Sequence, residues 1–169
     1  MKNESMFRKL VGFFKDFGGK DGFGRLDFSV LKTLMRLAAV DGEVSADEMK
    51  LFREMATNCK GYGEDSFGRL WSAALHSAGY LNLQARFLGP EEMVSEFVKE
   101  SEGDFTEEVA EGDSAERNKA FECLEAMAKA DGDYSDIERA CISALAERVQ
   151  TVRLAAIQAR YSRAASYDK

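Results

Sequence analysis

Two stretches of this 169-residue chain carry the same acidic pattern, DGEVSADE at 41–48 and DGDYSDIE at 131–138. Each reads Asp-Gly-acid-(Val/Tyr)-Ser-x-x-Glu and follows a run of small residues. The carboxylates of such a pattern can hold a hard cation such as Ca²⁺ or Mg²⁺, because these ions prefer oxygen ligands. The candidate metal ligands are six acidic residues: Asp41, Glu43, Glu48, Asp131, Asp133 and Glu138.

The pattern matches only the second half of a calcium-binding EF-hand loop. With Asp41 at loop position 5, Gly42 falls at position 6 and Glu48 at position 12, as that loop requires. Loop positions 1 and 3 would then be Leu37 and Ala39, whose side chains cannot bind a cation. The second stretch fails in the same way. A self-contained EF-hand is therefore not expected, and a metal site pooled from both turns would require them to meet in space.

Much of the pattern is also what a turn between two helices needs. Gly42 suits the left-handed residue that ends a helix, and Ser45 with Glu48 three residues later makes a capping box for the next helix. The second stretch repeats these roles with Gly132, Ser135 and Glu138. A hydrophobic staple of Val44 and Met49 would complete the first turn, whereas in the second Tyr134 would meet Arg139. These residues need no ligand to explain them.

Asp41 and Asp131 are not explained by turn chemistry. Each falls at the C-terminus of a predicted helix, where the helix macrodipole disfavours a carboxylate by roughly 0.3–1 kcal/mol. Glu43 and Asp133 add a second acid immediately after the glycine. Acids at positions that cost stability indicate a role beyond packing, and this keeps the metal hypothesis open.

Helical periodicity accounts for most of the elements that would position these turns. It predicts helices at about 5–17, 27–41, 45–59, 65–86, 90–101, 114–130, 136–149 and 150–165, the last continuing or kinking from the one before it. Pro90 suits a first helical turn, and Asp113 with Glu116 offers a capping pair. The acidic segment 101–114 is interpreted as a solvated loop.

These elements predict an all-α fold, a compact single-domain bundle of about seven to eight helices. The stretch 34–56 aligns with 124–146, which predicts two pseudo-symmetric helix-turn-helix units. We expect one domain over 1–169, with its core at about 25–150. Residues 1–24 would form an N-terminal helix and a glycine-rich break, and 150–169 a basic C-terminal helix.

The charge and the apolar segments of the chain bear on its possible partners. The net charge of −7 and the pI of about 4.9 argue against binding nucleic acid through a basic face. The charge is uneven, however, because residues 139–169 hold six basic side chains against two acidic ones, a local +4. This basic end could pair with a partner or a second copy, or could be a solvated helix face. The phenylalanine-rich stretch 5–17 could lie on a membrane surface or pack in the core.

The nucleophiles and imidazoles of common enzymes are sparse. His76 is the only histidine, and no nucleophile motif accompanies it, so we do not expect an enzyme. Cys59, Cys123 and Cys141 lack CxxC spacing, which fits reduced thiols in a cytoplasm rather than a zinc or redox motif. No signal peptide and no apolar run long enough to cross a membrane is apparent, so we expect a cytoplasmic protein.

The two turns with the helices around them resemble the TerB-like domains, a family associated with tellurite resistance and bacterial stress-response loci. The resemblance rests on AAVDGEVSADE and AKADGDYSDIE and is strongest over 31–56 and 121–149. It implies a compact all-helical cytoplasmic domain with no established catalytic activity. It also implies a charged surface that can bind metal, which on this chain points to Asp41, Glu48, Asp131 and Glu138, with Glu43 and Asp133 secondary.

The leading hypothesis is therefore a non-enzymatic domain of a stress or metal response that binds a divalent cation, Ca²⁺ or Mg²⁺, through its two acidic turns. Family resemblance implies other proteins of a stress-response complex as partners, and the negative net charge argues against nucleic acid. The alternative is a protein–protein or membrane-peripheral interaction module with no bound metal. The oligomeric state is left open by the sequence.

Overall fold

The computed structural model of the chain describes residues 25–42, 46, 64–129 and 134–167. Its helices are α1 (Arg25–Ala39), α2 (Glu64–Gln84), α3 (Pro90–Ser101), a π-helix (Glu102–Thr106), α4 (Glu107–Glu111), α5 (Ser114–Lys129) and α6 (Asp136–Tyr167). The described residues contain no strand, so the prediction of an all-α fold is confirmed. The predicted helices 5–17 and 45–59 lie outside the described residues, apart from position 46. The helix count and the pseudo-symmetric pairing therefore stay predictions.

Helix α1 is the central element of the described bundle. From Ser29 to Val40 its residues are buried, except Lys32 and Ala38, which are half-buried. It contacts α2, α3, the π-helix, α4 and α5. A helix that is apolar nearly all round must be surrounded by other elements, and the run LMRLAAV satisfies that condition with one exception, Arg36.

Helices α2 and α3 cover α1 and meet at a short turn. On α2, Ala74, Ala78 and Leu81 are buried at a spacing of one helical turn. Helix α3 begins at Pro90, as predicted, with Gly89 in an extended conformation just before it. Proline suits this position because the first helical residues have no intrahelical partner for an N–H group.

The interpretation of 101–114 as a solvated loop is wrong. Residues 102–106 form a π-helix and 107–111 form α4, so most of the segment is helical. Phe105 and Val109, four residues apart, are fully buried, and the Phe105 ring packs edge-on against Phe121 with centroids 5.6 Å apart. Two well-placed apolar residues outweigh the acidic composition of their neighbours, because burial depends on the face a residue occupies.

The last two helices, α5 and α6, begin and continue as the sequence predicts. The N–H of Glu116 donates to Asp113 Oδ1 and the N–H of Asp113 donates to Glu116 Oε2, each at 2.9 Å, which confirms the predicted capping pair of α5. Helix α6 runs unbroken for 32 residues, so the predicted last helix continues from the one before it. Its first half buries Cys141, Ile142, Leu145 and Val149, whereas from Thr151 onward its residues are exposed or half-buried.

Among the described residues, no helix is both long enough and apolar enough to cross a membrane.

Candidate functional site

The first acidic turn begins where α1 ends. The N–H of Gly42 donates to the carbonyl of Ala39 at 3.1 Å, and Gly42 adopts a φ of +89°. This is the left-handed conformation that the sequence predicts for Gly42. A Cβ built on Gly42 would lie 3.6 Å from Ala85 Cβ, an ordinary contact distance. Glycine is therefore required here by the backbone conformation and not by lack of space.

Asp41 lies in this turn and is exposed to solvent, as a cation ligand on a surface would be. Four of the other candidate ligands, Glu43, Glu48, Asp131 and Asp133, lie outside the described residues. Within the described part of the chain, no three His, Cys, Asp or Glu side chains are grouped as a metal site would need. The pooled metal site is thus a prediction that rests on the sequence.

Glu138, the sixth candidate, is the acid of a capping box. Its Oε2 accepts from the Ser135 N–H, and its own N–H donates to Ser135 Oγ, both at 3.3 Å. The capping box predicted for the second turn is confirmed. Only 9% of Glu138 is exposed, and a cation at its Oε2 would compete with the capping hydrogen bond. Of the two candidate ligands that the structure describes, Glu138 is therefore less available to a cation than Asp41.

Tyr134, just before this cap, does meet Arg139 as predicted. The Arg139 guanidinium lies 4.6 Å from the centroid of the Tyr134 ring, and the Lys129 ammonium lies 5.7 Å from it. Both distances fit cation–π contacts. At the second stretch, the position of the predicted staple is thus taken by a cation–π contact, and two positive charges lie close to Tyr134.

A second polar cluster, which sequence reasoning missed, lies inside the bundle around Arg36. The Nη1 and Nη2 groups of Arg36 donate to the two carboxylate oxygens of Asp104 at 2.8 and 2.7 Å. Its Nε donates to Ser77 Oγ at 2.7 Å, and that hydroxyl donates to Glu100 at 2.8 Å. Lys32 Nζ lies 2.8 Å from Asp104 Oδ2. We call these five residues the Arg36 network.

The electrostatics of the Arg36 network favour a charged Asp104. Burial raises the pKa of the Asp104 carboxyl, but the hydrogen bonds and charges of Arg36 and Lys32 outweigh burial and hold that pKa below its ordinary value. The N–H of Phe105 also donates to Asp104 Oδ1, at 2.6 Å. Arg36 is nearly fully buried, so the bidentate pair supplies the partner that a buried guanidinium needs.

The Arg36 network ties α1, which leads into the first turn, to three other elements. It joins α1 to α2 through Ser77, to α3 through Glu100 and to the π-helix through Asp104. Single π-helical turns are frequent at functional positions, and here the turn carries the acid that pairs with the central helix. The one available sequence signal was an arginine inside the apolar run LMRLAAV, since a buried arginine requires an acidic partner.

The fold and the turns together define an all-helical domain with a glycine-ended central helix and a capping box at the end of its second acidic stretch. The family model described as tellurite resistance protein TerB matches residues 27–161, most of the chain. The chain belongs to the TerB family. Searches of curated proteins and of solved structures found no match.

Proposed function

We propose that this TerB-family domain acts in a stress or metal response without catalysing a reaction, by binding a divalent cation through its two acidic turns. The observation that carries the proposal is Asp41, an exposed carboxylate at the C-terminal end of the buried helix α1. The helix macrodipole disfavours a negative charge there, and a bound cation would offset that cost. Ca²⁺ and Mg²⁺ fit best, because the candidate ligands are all carboxylates.

The candidate ligands are not equivalent in this proposal. Asp41 and Asp131 are the primary ligands, with Glu43, Glu48 and Asp133 beside them in the same two turns. Glu138 contributes least, since its Oε2 already accepts the capping hydrogen bond from Ser135. Gly42 supports the site indirectly, because its left-handed conformation ends α1 directly after Asp41.

Thermal unfolding with added ions tests the proposal. Ca²⁺, Mg²⁺, Mn²⁺ and Zn²⁺ are each added in excess to the wild type and to the double variant Asp41→Asn/Asp131→Asn. A specific site stabilises the folded state by about 4 kcal/mol when the ion is at about 1,000 times its Kd. We expect Ca²⁺ or Mg²⁺ to raise the melting temperature of the wild type and to leave that of the double variant unchanged.

A matched control removes two acids that take no part in the site. Glu107 and Glu111 are exposed on α4, and the variant Glu107→Gln/Glu111→Gln lowers the negative charge by the same amount. It should keep the response to the ion. If the wild type responds to no ion, or if both double variants lose the response equally, the carboxylates of the turns do not form a specific cation site.

The alternative function is an interaction module without metal, and the charge of the C-terminal region favours it. Residues 148–167 contain four arginines and no acid: Arg148, Arg153, Arg160 and Arg163. Such a helix suits an acidic protein of a stress-response complex or an anionic membrane surface. Co-sedimentation with vesicles rich in anionic lipid, with and without residues 151–167, tests the membrane form, and binding by neither protein would contradict it.

A further inference from the structure

We propose that the exposed second half of α6, residues 151–167, docks on a surface of α2 and α3 in a second copy of this chain. We call residues 151–167 the C-terminal arm. We call its receiving surface the aromatic–acidic surface, defined by Tyr80, Leu83, Phe87, Glu92 and Glu96. The inference does not depend on the proposed cation site, because it uses none of the six candidate ligands.

The aromatic–acidic surface combines exposed apolar side chains with carboxylates. Tyr80 and Leu83 lie one turn apart on α2, and Phe87, 76% exposed, follows in the turn to α3. The Tyr80 hydroxyl donates to Glu96 at 3.0 Å, which places the acids of α3 directly beside the aromatic side chains. Glu92 lies one turn before Glu96 on the same face of α3. Exposed aromatic groups bordered by charge are typical of a protein interface.

The C-terminal arm carries the complementary features. Leu154, Ile157 and Tyr161 follow each other at three- and four-residue spacing, so they form one apolar stripe on α6. Leu154 is 50% and Tyr161 75% exposed, so little of the described bundle covers the stripe. Arg153 and Arg160, seven residues apart, lie on a second stripe roughly 80–90° around the helix. The arm thus offers apolar groups and positive charges on adjacent faces.

Charge complementarity extends beyond these few residues. Helix α3 holds four acids and one lysine, a net charge of −3, whereas the C-terminal arm holds three arginines and no acid, a net charge of +3. Opposite fields of this size steer association and fix the orientation of the docked helix. With the apolar stripe of the arm on Tyr80, Leu83 and Phe87, its arginine stripe would face the acids of α3.

The arm cannot reach this surface on its own molecule, because α6 runs along the opposite face of α3. Thr151 lines a cavity with Val94 and Val98, whereas Glu92 and Glu96 lie roughly 160° around α3 from them. Helix α6 is unbroken from Asp136 to Tyr167, about 48 Å at 1.5 Å per residue, and its first half packs against α3, α4, α5 and the π-helix. A continuous helix cannot turn back onto its own bundle. Each copy therefore has one free arm and one free receiving surface, so any two copies can dock. Reciprocal exchange of two arms would give a closed dimer, and one-way docking an open chain.

The test is sedimentation velocity of the full chain over a wide range of protein concentration, at about 0.1 M and about 1 M salt. We expect concentration-dependent association that is weaker at high salt. Arg153→Glu/Arg160→Glu and Glu92→Lys/Glu96→Lys should each raise the Kd of self-association at least about 100-fold, since each reversed charge removes an attraction and adds a repulsion. An equimolar mixture of the two variants should associate again, because their reversed charges are complementary.

Two further variants separate docking from general charge effects. Glu122→Lys/Glu125→Lys reverses two exposed charges on α5 and should leave self-association unchanged. Leu154→Ser/Tyr161→Ser keeps every charge and should weaken it, because the apolar stripe is lost. A wild type that stays monomeric at every concentration in low salt overturns the proposal, as does a charge-reversed arm that associates normally. A monomeric wild type whose arm variants lose binding to anionic vesicles would assign the arm to a membrane surface instead.

Discussion

The helices α1 and α5 each precede a copy of the repeated Asp-Gly sequence, yet they occupy different environments. Leu34 and Leu124, at equivalent positions of the repeat, are each fully buried. The next equivalent positions diverge, since Met35 is 1% exposed whereas Glu125 lies on the surface. Helix α1 is enclosed on nearly all sides, and α5 covers the bundle with one face only. The helices that precede the two copies of a repeated sequence can thus lie at very different depths in the bundle.

Arg36, the residue after Met35, shows that a charged side chain at the centre of the bundle needs buried polar partners. Arg36 in α1 corresponds to Ala126 in α5, and only the arginine is buried. A charged side chain at the centre of the bundle needs the paired carboxylate of Asp104 and the hydroxyl of Ser77. An alanine on the surface needs no partner. The first unit therefore depends on a polar contact between residues far apart in the chain, which the second does not need at the equivalent position.

The largest difference between the two helices should appear at Met35. Met35→Ala removes a fully buried side chain and should lower the free energy of unfolding by about 2–5 kcal/mol. Its equivalent, Glu125→Ala, should change it by no more than about 0.5 kcal/mol, because Glu125 is exposed. Urea unfolding of both variants measures the difference. Leu34→Ala and Leu124→Ala provide the matched pair and should cost similar amounts, and equal costs at Met35 and Glu125 would contradict the difference in depth.

The next effect concerns the buried charge. Asp104→Asn removes the anion that pairs with Arg36 and should destabilise the protein by about 3 kcal/mol, since it leaves a buried guanidinium without a counter-charge. The control is Arg148→Ala, which breaks the exposed pair with Glu102 and should cost no more than about 1 kcal/mol. Urea unfolding at neutral pH compares them. A cost as small as that of Arg148→Ala would mean that the Arg36 network adds little stability.

The same pair predicts a pH dependence. The folded-state pKa of Asp104 is lowered, so the stability it contributes is present above its unfolded pKa of about 3.9 and is lost as the pH falls through the folded value. The stability gap between wild type and Asp104→Asn should therefore stay constant from neutral pH to about 5 and shrink below about 4. Urea unfolding at several pH values measures the gap, and a gap that widens in acid would contradict the lowered pKa.

A smaller effect tests whether the two turns share a backbone conformation. Gly42→Ala forces a side chain into a φ of +89° and should cost about 1–2 kcal/mol. Gly132 lies outside the described residues, and the repeat predicts the same cost for Gly132→Ala. Thermal unfolding of the two variants compares the turns directly. If only Gly42→Ala destabilises the protein, the second turn does not need a left-handed glycine.

The smallest effect concerns the helix caps. Ser135→Ala removes the oxygen that accepts from the Glu138 N–H and should cost about 1 kcal/mol. The sequence predicts an equal cost for Ser45→Ala, at the equivalent position outside the described residues. Chemical denaturation of both variants, with Ser143→Ala on the exposed face of α6 as the control, measures the difference. A neutral Ser45→Ala would show that the repeat does not extend to the cap.

The local features of this protein were predictable because they depend on neighbouring residues. The start of α3 at Pro90 follows from the fixed φ of proline, and the end of α1 at Gly42 follows from the freedom of glycine. The capping boxes of α5 and α6 follow from an oxygen and an acid three residues apart. Each of these contacts is made within a single helical turn, so the sequence contains both partners side by side.

The Arg36 network and the helical path of 102–111 were not predictable in this way. Arg36 and Asp104 are 68 positions apart, and no local rule connects them. The acidic composition around Phe105 concealed a helix whose buried face consists of a few spaced residues. The six candidate metal ligands show the same limit, since whether two distant turns meet is a property of the whole bundle.

By itself the sequence determined that this chain is helical, where most of its described helices begin and end, and that two acidic turns repeat. Those outcomes depend on hydrogen bonds and backbone preferences within a few residues. Only the tertiary structure decided which helix before a copy of the repeat lies at the centre, which acid pairs with Arg36, and that the described bundle leaves the end of α6 largely uncovered. These outcomes depend on which helix faces are buried against each other, and burial is settled by the packing of the entire chain.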